Sequence, residues 1–125
     1  MSNIQEEIKY ENEVGKKLLQ GLQQDNVLLK NKLSEILKLN IRDGILEKAE
    51  NFQTSFLLAD ERISFLRKDN TELCRQFLKA TGDRNAIEEL SQKQKQLKKQ
   101  IKQEEKEFNK LKLAFNNYIA SVIKK

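Results

Sequence analysis

The densest chemical feature of this 125-residue chain is a set of lysines in its last third. In "SQKQKQLKKQIKQEEKEFNK", Lys95, Lys99, Lys102 and Lys106 recur at steps of four, three and four, with Lys98 beside them. On a helix this spacing draws an outward stripe about 16 Å long, able to follow phosphates in a salt-sensitive, sequence-independent way. Lys95/Lys99, Lys98/Lys102 and Lys102/Lys106 are like-charge pairs one turn apart, which an isolated helix does not favour. No aromatic residue shares that face to stack a base, and Glu104, Glu105 and Glu107 reduce the local field. Nucleic acid is therefore the second reading of the stripe, behind an ordinary solvated face. An anionic membrane surface would also require an exposed apolar face on the same helix.

Catalytic chemistry finds little to work with. Histidine is absent, which removes the commonest general base and a principal metal ligand. Cys74 is the only cysteine, so it forms neither an internal disulfide nor a thiolate zinc site. It falls beside an apolar seam, the ordinary place for a small half-buried side chain. "VGKK" at 14–17 lacks both the upstream glycine and the following Ser or Thr of a phosphate loop. Carboxylate pairs such as Glu6/Glu7, Glu88/Glu89 and Glu104/Glu105 read as surface groups of charged helices. The expectation is a non-enzymatic protein with no metal and no cofactor.

Composition sets the elements that carry these groups. Proline is absent, glycine occurs four times and 34% of residues are charged, a balance that favours long helices and lacks the turn punctuation of a β protein. The net charge of +5 is uneven: residues 1–40 carry six basic and six acidic groups, 41–82 seven of each, and 83–125 eleven against six. No apolar run approaches the ~18–20 residues of a membrane span. The polar start "MSNIQEEIKYEN" has neither signal-peptide nor transit-peptide character. A soluble, cytoplasmic protein is the expectation.

Hydrophobic spacing divides the chain into three. The first segment has Leu19, Leu22, Leu29, Leu33 and Ile36 at steps of three and four, with Asn26 where a leucine is due. The second is continuous: Ile45, Ala49, Phe52, Phe56, Ala59, Ile63, Leu66, Asn70, Leu73, Phe77 and Ala80. The third runs Ile87, Leu90, Gln94, Leu97, Ile101, Glu104, Phe108, Leu111, Phe115, Tyr118 and Val122. Such sustained heptads predict coiled-coil-like packing. The register jumps at "LNIRDG", where Asp43 is placed to cap a helix, and again at "ATGDRNAIEE". There Gly82 is suited to a helix end, and Asn85 with Glu88 has capping-box spacing. The prediction is a single all-α domain over 1–125, with helices at about 4–39, 44–80 and 85–123. Short connections give an antiparallel up-down-up bundle. Gly15 and Gly21 weaken the first helix, whose opening dozen residues are expected to be its least stable part.

Polar residues inside the seams suggest register control. Folding the second hairpin about residue 83 brings Asn70 and Gln94 within about one helical turn of each other. Paired, they satisfy one another; slipped by a heptad, they face apolar side chains. The alternative is that both amides lean out to solvent. Folding the first hairpin about residue 42 sets Asn26 level with Leu58 and close to the small Ala59. A buried Asn at such a position specifies register and oligomeric state. The local string resembles the leucine-zipper pattern, in which Asn interrupts a leucine repeat, but the basic region upstream is missing. Phe108 and Phe115 fall opposite the level of Phe52 and Phe56, as an aromatic cluster.

Val27, Leu28, Leu57 and Leu58 lie just outside the seams at one level of the rod, with Phe65 one heptad beyond. Either the third helix covers them or they form an exposed patch that closes a symmetric dimer. The leading expectation is a coiled-coil interaction protein that self-associates or binds another helical protein. A helical chaperone or adaptor is not separable from that by sequence.

Overall fold

The computed structural model describes residues 3–39 and 43–123. Three long helices, α1 (Asn3–Leu37), α2 (Asp43–Lys79) and α3 (Arg84–Ile123), pack against one another in every pairwise combination, and no strand occurs among the described residues. At 35, 37 and 40 residues, each helix runs about 50–60 Å.

Contacts along the rod give the directions. Asn12 meets Asn70, whereas Asn26, two heptads further on, meets Phe56 and Asp60, so α1 and α2 run in opposite senses. Arg62 meets Glu104 while Phe52 meets Phe115 and Tyr118, so α2 and α3 are opposed as well. Glu11 pairs with Lys98 and Asp25 with Lys112, which makes α1 and α3 parallel.

The heptad seams turn inward. Leu19, Ala49, Phe56, Ala59, Ile63, Phe108 and Phe115 have no measurable exposure, and Leu29, Leu33, Leu97 and Ile101 are nearly as deep. Phe77 and Ala80 near the end of α2 and Val122 near the end of α3 are only partly covered, as is Leu111 within α3. At one end, Phe115 meets Phe56 edge-on at 5.0 Å and Phe52 at 5.2 Å, and Tyr118 lies 5.2 Å from Phe52. The expected aromatic cluster thus gains Tyr118. Phe108 is buried but takes no part in the ring contacts among the described residues.

The second turn follows from two adjacent residues. Gly82 has φ of 89°, a left-handed conformation that an L side chain adopts only at a cost. Asp83, and not Asn85, caps α3: its Oδ1 accepts from the Ala86 amide at 3.1 Å, and its carbonyl accepts from Ile87 at 3.0 Å. The helix begins at Arg84, so Asn85 is already inside the first turn and cannot be the capping residue. The expected cap at Asp43 and the seam start at Ile45 concern side chains outside the described residues.

These backbones make separable predictions. Gly82→Ala, which meets no neighbour but strains φ, should lower unfolding free energy by about 1–2 kcal/mol, and Asp83→Ala by about 1 kcal/mol. Gly21→Ala, on an exposed helical site with open space, should raise it by up to about 1 kcal/mol. Urea denaturation reads all three, and equal effects at Gly82 and Gly21 would contradict the assignment.

Candidate functional site

Asn12, Asn70 and Gln94 form one polar layer across all three helices. Asn12 Nδ2 donates to the Asn70 carbonyl at 2.7 Å, to Asn70 Oδ1 at 3.2 Å and more weakly to Gln94 Oε1 at 3.4 Å. Asn70 Nδ2 returns a bond to the Asn12 carbonyl at 2.9 Å. Each of the three side chains is at least nine-tenths buried, so none leans out to solvent. Asn70 and Gln94 share one level, as the hairpin arithmetic expects, but they do not satisfy each other: both are held through Asn12 Nδ2. Gln94 Nε2 is left without a partner, a real cost at this depth.

Asn12 is the residue that sequence reasoning missed. Extending the first seam backward from Leu19 by steps of four and three reaches Gly15, Asn12 and Ile8, all buried. Gly15 sits there for lack of room: an added Cβ would lie 3.1 Å from Ile101 Cδ1 and 3.3 Å from Asn70 Oδ1. The glycine that weakens the helix locally is what lets α1 approach the polar layer.

Asn26 forms a second polar site two heptads along α1. Its Nδ2 donates to the Phe56 carbonyl at 3.0 Å and to Asp60 Oδ1 at 2.5 Å, while Asp60 also pairs with Lys30. Ala59 lies fully buried at the same level, and Asn26 Oδ1 has no partner. A third site joins α2 to α3: Arg62 grips the buried Glu104 through one guanidinium edge, donating from Nε to Oε1 at 2.7 Å and from Nη2 to Oε2 at 3.2 Å. A carboxylate in the seam is tolerable only with such a partner.

The outer surface carries the remaining candidates. Val27, Leu28, Leu57, Leu58 and Phe65 are all exposed, from 45% at Val27 to 66% at Phe65; the third helix covers none of them. They divide among the grooves. Lys30 and Gln23 face α2, whereas Asp25 faces α3, so Val27 follows the first pair and Leu28 the second. On α2, Leu57 falls on the flank of Asp60, toward α1. Leu58 and Phe65 fall on the flank of Arg62, toward α3, and Phe65 borders an open groove with Leu66, Gln100 and Gln103.

Lys95, Lys98, Lys99, Lys102 and Lys106 are exposed on α3. Lys98 pairs with Glu11 at 3.0 Å, and Glu7 and Glu11 line the same groove as Lys95 and Lys98. Helix α1 therefore offsets part of the stripe. Cys74 is a free, half-buried thiol. Among the described residues, no cluster of His, Cys, Asp or Glu has metal-holding geometry, and no helix is long and apolar enough to cross a membrane. No family model, no curated protein and no solved structure matches the chain.

The two polar sites should respond oppositely to the same change. Asn26→Leu removes an orphaned acceptor and leaves Asp60 its lysine, so stability should rise by about 1 kcal/mol. Asn12→Leu orphans Asn70 Oδ1 and Gln94 Oε1 together, so stability should fall by about 1–3 kcal/mol. Thermal unfolding of the two variants measures both, and a gain in each would contradict the roles assigned.

Proposed function

We propose that this chain is a non-enzymatic interaction protein that works by helix–helix association, presenting the outer face of α2 to another helical surface. The observation that carries the reading is the exposure of Leu57, Leu58 and Phe65, at 53, 49 and 66%, on a helix whose inward seam is already filled. Isolated exposed apolar residues are ordinary; three within nine positions of one charged helix are a surface whose burial rewards a partner. The internal polar layers support the same reading, because they spend stability on a fixed register and so hold that surface rigid.

The second reading, a nucleic-acid-binding accessory protein, draws on the exposed stripe of Lys95, Lys98, Lys99, Lys102 and Lys106 on α3. The acidic flank from Glu7 and Glu11 and the missing stacking residues weigh against it.

Two measurements separate the readings. Light scattering over about a hundredfold concentration range should show association that Leu58→Lys/Phe65→Lys abolishes while helicity stays unchanged; association indifferent to that change would sink the first reading. Retention on a nucleic-acid column that vanishes when Lys95, Lys99, Lys102 and Lys106 become Gln would establish the second.

A further inference from the structure

The charges on the outer face of α2 are ordered along its length. Glu47, Glu50 and Glu61 occupy the first half, and Lys68, Arg75 and Lys79 the second, all exposed except that Arg75 also holds Glu72. Residues of the opposite sign are Lys48, exposed in the acidic half, Arg62, tied to Glu104 near the centre, and Asp69 and Glu72, half-buried in the basic half. The hydrogen bond from Arg75 keeps the Glu72 carboxyl below the usual carboxylate range. Between the two halves stand Leu58 and Phe65, with Leu57 at the edge. Next to Phe65, the α3 shoulder is the uncharged Gln100 and Gln103.

This order is complementary to its own reverse. Laid beside an antiparallel copy, Glu47 comes opposite Lys79, Glu50 opposite Arg75 and Glu61 opposite Lys68, and the three midpoints fall within two residues of Ile63. About that centre, a rise of ~1.5 Å per residue interleaves Leu58 and Phe65 of one copy with Phe65 and Leu58 of the other, at steps of about 4–6 Å. A parallel copy would set acid against acid and base against base. Helix α3 has no such order, since its outer lysines Lys95, Lys99, Lys102 and Lys106 would face lysines in either direction.

We propose that the outer face of α2 docks a second copy of this chain, antiparallel, about a two-fold axis near Ile63. The inference rests on the association reading and names its partner. Isologous pairing is closed by symmetry: each acidic half meets a basic half once, and no half is left to recruit a third chain. The charges select the direction and disfavour the wrong one, while Leu58 and Phe65 supply the buried area.

Charge-reversed variants test it. One variant carries Glu47→Lys, Glu50→Lys and Glu61→Lys; the other carries Lys68→Glu, Arg75→Glu and Lys79→Glu. Light scattering should show a dimer for the unmodified chain, a dissociation constant raised ~10-fold or more for each variant alone, and recovery when the two are mixed in equal amounts. Should either triple variant lose helicity, Glu61→Lys and Lys68→Glu alone repeat the mixing test with one reversal each. An unmodified chain that stays monomeric at every concentration overturns the proposal, as does a mixture that associates no better than its components. Leu58→Lys/Phe65→Lys tells the two failures apart. If it abolishes association but mixing recovers nothing, association through this face stands and the antiparallel pairing falls. If association survives it, both fall.

Discussion

The hydrogen-bonded layer of Asn12, Asn70 and Gln94 is the constraint on which the rest of this bundle depends. A heptad seam is nearly translational: sliding one helix past another by seven residues replaces leucine with leucine and changes little. A polar layer breaks that degeneracy. Moving α2 by one heptad would set Asn70 against apolar side chains, away from the amide and carbonyl of Asn12 that satisfy it here. Once this layer is fixed, the Asn26–Asp60–Lys30 site and the Arg62–Glu104 pair fall into reach further along the rod.

The layer is not free of cost. Gln94 Nε2 and Asn26 Oδ1 remain buried without partners, and replacing polar core groups by apolar ones often stabilises a fold. What they offer in return is a penalty on a heptad slip, which would part Asn70 from the Asn12 groups that satisfy it. Gly15 belongs to the same economy of space, because any side chain there would press on Ile101 and Asn70. The aromatic end of the rod, with Phe52, Phe56, Phe115 and Tyr118 in contact, supplies cohesion.

The helices were legible because the three-and-four seam spacing runs through α2 and α3 without a change of register, polar only at Asn70, Gln94 and Glu104, and because Gly82 marks their junction. The pairing level of Asn70 and Gln94 followed from hairpin arithmetic alone. The same arithmetic applied to Glu104 reaches Arg62, the residue equally far on the other side of the turn, which is the signal for that buried pair. Asn12 was hidden because a glycine and an asparagine in succession look like the end of a seam. They continue it. The choice of Asp83 over Asn85 depended on where the helix starts, a matter of one or two residues that spacing does not resolve. The division of the outer leucines among three grooves depended on which flank of each helix meets which neighbour, and only the contacts of Asp60, Arg62 and Asp25 reveal it.

In the association reading proposed above, a bundle so fixed offers another helix a surface of exposed apolar side chains flanked by charge. The central claim remains the buried polar layer, and hydrogen exchange of side-chain amides followed by nuclear magnetic resonance tests it most directly. The amide protons of Asn12 and Asn70 should exchange far more slowly than those of the exposed Asn31 and Asn109. Exchange at the same rate in all four would mean that the seam amides open to water and do not set the register.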